Sequence, residues 1–173
     1  AAALLNGGGF AYLPLAAISP ALEALLQLRR VLGLRSPLNT AARLLDPFDA
    51  RAGVDGVFHP AYIALHLATA ERLGRPRLVV VKGGGGEAER TALKPVTAHW
   101  FDQSAGRGEA VLPPVATQPV SDGDHERAFL AAWHDGHGAD TAVATVALGL
   151  IALGEPPDTA DAKAAEVWRY RRR

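Results

Sequence analysis

The stretch GVFHPAYIALHLATAERLGRPRLVVVKGGGG, Gly56 to Gly86, decides how this chain folds. Arg77 to Val81 is a dense β-branched run, bounded by a proline before it and glycines after it, which predicts a strand. Gly56 to His59 is a shorter apolar run with the same character. Between them, Pro60 is placed to open a helix in which Ile63, Leu65, Leu67 and Ala70 alternate with polar positions up to Gly74. Strand, helix and strand joined by short connections make a βαβ unit, whose strands run parallel with a right-handed crossover. The glycines after Lys82 then lie at the carboxyl end of a parallel strand, where open α/β sheets place their ligands.

Working outward, Ser19 and Pro20 read as the cap and first residue of a helix to about Leu32, stopped by Gly33. Asn39 to Leu45 reads as a second, short helix. Downstream, Val96 to Phe101 and Glu109 to Leu112 read as strands around a turn at Ser104 to Gly108, an antiparallel hairpin at one edge. Three helices follow, at Asp124 to His134, at Asp140 to Leu153 with Asp140 as cap, and at Thr159 to Arg172. The expected fold class is α/β, a mostly parallel sheet with flanking helices and an antiparallel edge hairpin. With 173 residues and 49% apolar content, a single domain over the whole chain is the default.

The 18 basic residues equal the 18 acidic ones, so no global field demands nucleic acid or an anionic membrane. Distribution leaves room for a local basic face, since Arg29, Arg30, Arg35 and Arg43 cluster early and Arg169 with Arg171 to Arg173 close the chain. Without cysteine there are no disulfides, thiolate metal sites or Cys nucleophiles, which is compatible with a reducing cytoplasm. The chain also lacks methionine and opens without a charged segment, and so reads as a piece of a longer protein rather than a natural start. The longest apolar run, Thr141 to Leu153, is too short to span a bilayer.

Gly83 to Gly86 have two readings: a backbone that approaches a phosphate closely with its amides exposed, or a flexible connection. The stretch has neither the Walker spacing nor the dinucleotide GxGxxG. Lys82 is a strand-end cation suited to a phosphate, or to Glu87 or Glu89. Glu89 is either a metal carboxylate or a solvated acid paired with Arg90. The early arginines suit an acidic ligand or form an ordinary solvated helix face. Among the six histidines no pair has HExxH spacing, and His134 with His137 lacks a third ligand nearby. His66, inside an apolar helix, reads as a satisfied helix-face residue. No GxSxG elbow exists, which sets a serine hydrolase aside.

LRRVLGLRSPLNTAARLLDP, Leu28 to Pro47, resembles the segment of anthranilate phosphoribosyltransferases that reads roughly VRxxLGIRTxFNxLGPLTNP. GVFHPAYIALHLATAERLGRPRLVVVKGGGGEAE is similar to the family's strand, helix and strand leading into HGxGGLDE, and ADTAVATVALGLIAL to its penultimate apolar helix. The resemblance implies the α/β domain of a family 3 glycosyltransferase, a superfamily that includes nucleoside phosphorylases and moves a pentosyl group between phosphate and nitrogen. It implies that the amino-terminal helical domain and the first phosphate loop, GTGGD, are missing from these residues, and that the full-length protein is a homodimer.

The resemblance further implies substrate binding by Arg29, Asn39, Arg43, Lys82 and Gly83, with Glu89 at a magnesium site; it assigns no catalytic residue. Asn39 follows the motif and is suited to brace its loop. Three departures weigh against authentic anthranilate phosphoribosyltransferase activity. The family's His-Pro is Ser19-Pro20 here, its channel-lining Gly-Pro is Ala42-Arg43, and its metal-binding Asp-Glu is Ala88-Glu89. An arginine at position 43 fills the slot and brings charge to it. A lone carboxylate still suits Mg²⁺, which keeps several waters, but weakens the site. The expected ligand is a phosphorylated pentose or something nucleotide-like. The changes also resemble a divergent branch with nucleic-acid-binding members, so a nucleic-acid-binding protein that reuses the fold is the alternative.

Overall fold

The structure is a computed structural model that describes residues 9–34, 36–117, 125–134 and 138–171. It divides into two compact units, Ala1–Phe48 and Asp49–Arg173.

The first unit is helical. A short helix α1, Leu15–Ile18, is followed by α2, Pro20–Gln27, and α3, Arg29–Leu32. Ser19 caps α2 as expected, its Oγ accepting from the Leu22 amide at 3.3 Å. The expected single helix is divided at Leu28, and Gly33 ends α3 in the left-handed region at φ 67°. The second expected helix is a single turn, α4, Leu38–Ala41, continued by a 3₁₀ turn at Ala42–Leu44. None of these helices contains a buried residue: Leu25, Leu28, Val31 and Leu32 are all exposed.

The second unit is α/β. Its sheet is built from β1, Gly53–Val57, β2, Arg77–Lys82, β3, Val96–Asp102, and β4, Gly106–Leu112, in the order β1-β2-β3-β4. Helix α5, Ala61–Arg72, crosses between β1 and β2, which pair in parallel with Val54 opposite Val79 and Val57 opposite Lys82. The βαβ unit and the β3/β4 edge hairpin are both present. Strand β3 joins β2 antiparallel, so among the described residues the parallel part of the sheet is the β1/β2 pair. Three helices complete the unit: α6, His125–His134, α7, Asp140–Ala152, and α8, Pro157–Arg169.

Side chains alternate along β2, and the sheet is covered on both faces. Leu78 and Val80 pack with Val57 and Phe101 beneath Leu67 and Ala70 of α5. Val79 and Val81 face the other way, onto Ala147, Leu148 and Ile151 of α7 and Ala160 and Ala164 of α8. All four residues Leu78–Val81 are fully buried, which explains the unbroken apolar run. Strand β1 lies three residues upstream of its expected start. Asp140 does not cap α7: Ala139 holds the cap position, and Asp140 is the acidic residue of the first turn, where the helix dipole favours it.

Polar ties brace these layers. His66 of α5 is buried, and its Nδ1 lies 2.9 Å from Oδ2 of Asp55 on β1, so it is satisfied as expected. Arg171, just past α8, places its guanidinium 4.2 Å from the centre of the Trp168 ring and 5.5 Å from that of Trp133, joining α8 to α6.

Candidate functional site

The loop after β2 is closed against the sheet. The Gly83 amide donates to the Val57 carbonyl at 3.0 Å, extending the β1/β2 pairing by one residue. The chain then turns so that the Glu87 backbone packs under two glycines. A Cβ on Gly56 would stand 1.9 Å from the Glu87 carbonyl oxygen, and one on Gly83 would stand 2.3 Å from the same atom. Both positions therefore require glycine for close approach, one on the strand and one in the loop.

The loop amides converge on a carboxylate. Gly84 N–H donates to Oε1 of Glu87 at 2.5 Å and Gly85 N–H donates to Oε2 at 2.6 Å. Consecutive amides that embrace an anion form a nest, and here the anion comes from the loop itself. These bonds hold the Glu87 carboxyl below its usual range. Its own backbone amide contributes most, then that of Gly85, with Gly84 and the positive Lys82 adding to the effect. In the family pattern HGxGGLDE, Glu87 falls where leucine stands.

Lys82 is exposed at the end of β2, its Nζ 5.8 Å from the centre of the exposed Phe58 ring. Phe58 stacks edge-on against His59 with ring centres 4.7 Å apart, and Tyr62 lies 6.1 Å beyond His59. The carboxyl end of the β1/β2 pair thus presents a cation, exposed aromatic rings and oriented amides together. The sequence singles out Lys82 and Gly83 and marks Glu87 only as a partner for Lys82, while Phe58 and Tyr62 pass unmarked. The aromatic signal was available in FHPAY, three rings within five residues.

Glu89 is exposed, two residues past the carboxylate that closes the loop. Its expected pairing with Arg90 is corrected by the structure. Arg90 is fully buried and points the other way: Nη1 and Nη2 both bind the Asp161 carboxylate of α8, the latter at 3.0 Å, and Nη2 also donates to the Pro113 carbonyl at 2.6 Å. Among the described residues no three His, Asp or Glu side chains gather to hold a metal. Glu89 alone fits a Mg²⁺ ion carried mainly by ligand phosphate and water, not a protein-built cage.

The remaining candidates belong to the helical unit. Arg29 is exposed at the start of α3, and Arg43 is exposed in the 3₁₀ turn. Asn39 of α4 accepts the Ser36 amide at 3.0 Å through Oδ1, which braces the turn as expected. Arg35 and His137 lie outside the described residues.

Two cavities of the α/β unit lie at the opposite end of β2. One, of about 320 Å³, is lined by Arg77, Trp100, Asp102 and Glu155, and the other, of about 410 Å³, by Arg51, Arg77 and Gln103. Arg77 Nε binds Asp102 at 2.5 Å there, and Lys163 binds Glu155 at 2.8 Å. No helix among the described residues is long and apolar enough to cross a membrane.

No family model matches the chain. Over 84 residues, 49% of the chain, it is 35% identical to anthranilate phosphoribosyltransferases of Burkholderia mallei and Burkholderia pseudomallei. It is also 35% identical to an uncharacterised protein of Aquifex aeolicus over 77 residues, 44% of the chain. The matches span 24% and 25% of the relatives' own lengths. Half of the chain is thus similar to anthranilate phosphoribosyltransferases, over about a quarter of the length of the curated relatives it matches.

Proposed function

We propose that the chain belongs to a pentosyltransferase-class protein and that the carboxyl end of β2 holds a phosphate group of a phosphorylated pentose. The observation that carries this reading is the pair of Gly84 and Gly85 amides converging on one carboxylate, an arrangement of donors that suits a phosphate oxygen equally well. The partial match to anthranilate phosphoribosyltransferases supports the ligand class. Lys82 supplies the adjacent positive charge, and the Phe58 and Tyr62 rings offer an apolar wall for the pentose or its substituent.

In this reading the protein acts by positioning and charge: the amides and Lys82 fix the phosphate and leave the anomeric carbon to an incoming nucleophile. Glu89 would hold Mg²⁺ through water when the ligand brings a diphosphate, and the ion would neutralise that group's charge. Ala88, with no carboxylate where the resembling enzymes have a second metal ligand, favours a protein other than an authentic anthranilate phosphoribosyltransferase.

Calorimetric titration with phosphoribosyl pyrophosphate, with and without Mg²⁺, tests the proposal. Binding strengthened by Mg²⁺ is expected, and binding in neither condition would overturn it. Binding to DNA or RNA instead, with an affinity that falls by decades as salt rises, would favour the nucleic-acid-binding alternative.

A further inference from the structure

The Glu87 carboxylate does more than decorate the loop. Its two oxygens take the Gly84 and Gly85 amides one each, so the donors that a phosphate would use are already satisfied. The backbone of Glu87 is wedged beneath Gly56 and Gly83, and its carboxyl group lies against Gly83, Gly84 and Gly85, while the residue as a whole is exposed. The side chain is held by those two hydrogen bonds, and rotation about its own bonds would release them while the backbone stays pinned. Such a rotation would exchange two arrangements, the carboxylate in the nest as the structure has it, and the carboxylate in solvent with the nest open.

We propose that Glu87 is a built-in plug of the phosphate nest, an autoinhibitory anion that a ligand phosphate must displace. The proposal rests on the phosphate-site reading given above and adds a competitor to it. The plug is tethered two and three residues from the amides it binds, so its effective concentration is on the order of millimolar or more. A ligand's apparent affinity falls by the fraction of molecules with the nest open. Lys82 faces both states. It draws on Glu87 when the nest is plugged and stands free for the ligand phosphate when it is not.

The test is a titration of the 173-residue chain, labelled for amide NMR, with inorganic phosphate and separately with phosphoribosyl pyrophosphate, at constant ionic strength. Glu87→Ala is expected to bind both at least about tenfold more tightly than the parent, with the largest amide shifts at Gly84 and Gly85. Glu87→Gln keeps the shape of the side chain but loses the charge, and its NH₂ cannot accept from an amide. It is expected to fall between the two. Equal affinity of parent and Glu87→Ala, with shifts at the same amides, would overturn the plug and leave the phosphate site standing. No shift in any variant would overturn both. Should Glu87→Ala disorder the loop, Glu87→Gln decides: a tightening supports the plug, and parental affinity overturns it.

Discussion

Arg90 shows how much one residue can anchor. A guanidinium with no solvent exposure has lost its hydration and recovers it only through the bidentate Asp161 carboxylate and the Pro113 carbonyl. Its backbone amide donates to Thr145 Oγ1 at 3.1 Å, so the same residue ties the end of the glycine loop to α7 and α8. Removing Asp161 leaves the arginine buried beside a single carbonyl. Asp161→Ala is expected to lower unfolding free energy by about 3 kcal/mol in urea titrations. The double variant Arg90→Met with Asp161→Ala removes both charges and is expected to recover a large part of that loss. A double variant as unstable as Asp161→Ala would show that the pair contributes through packing, not through its charges.

At the scale of elements, the end of β3 carries a pH-dependent tie. Asp102 closes the β3/β4 turn, its Oδ1 accepting from the Ser104 hydroxyl at 2.6 Å and from the Ser104 amide at 2.8 Å. Its other oxygen binds Arg77 across the β2/β3 pair. The Ser104 hydroxyl and amide, then the Ala105 amide and Arg77, pull its carboxyl down to about 2. A carboxyl lowered on folding stabilises the fold above its ordinary value of about 4, and that stabilisation is lost as pH falls through the folded value. Unfolding titrations of parent and Asp102→Asn should therefore differ most above about pH 4 and converge towards about pH 2. A gap that is constant across this range would show that the loss in the variant is not one of charge.

The same elements show what the sequence can and cannot announce. Strand β2 and helices α5 and α7 were legible because burial on one face or both leaves a periodic or unbroken apolar signature. Strand β1 was read three residues late because its sequence, GVDGV, carries two glycines and an aspartate. Those residues answer to distant partners: Gly56 to the Glu87 backbone and Asp55 to His66. The position of the glycine loop could be read from the βαβ pattern. Its occupant could not, because closure of a carboxylate on two nearby amides is a property of the turn. Arg90 and Asp161 are 71 positions apart, and nothing local marks them as partners.

At the scale of the whole molecule, the two units differ in how much they bury, and stability should follow. The α/β unit holds its sheet between α5 on one face and α7 with α8 on the other, with Leu78–Val81 fully buried. Among the described residues, the helices of Ala1–Phe48 bury nothing completely, and Leu28, Val31, Leu32 and Leu34 stay 46–82% exposed. Short helices without a covered face are marginal in water, because packing rather than propensity supplies most helix stability. Amide hydrogen exchange should therefore be slowest at Leu78–Val81, where opening requires the unit to unfold, and at least about 1,000-fold less protected across Ala21–Leu32. Comparable protection in both places would mean that the apolar face of α2 and α3 is covered in solution. Whatever covers it would then have to supply an apolar surface that matches Leu25, Leu28 and Leu32, a requirement that substituting those leucines by aspartate would expose as a loss of protection confined to the helices.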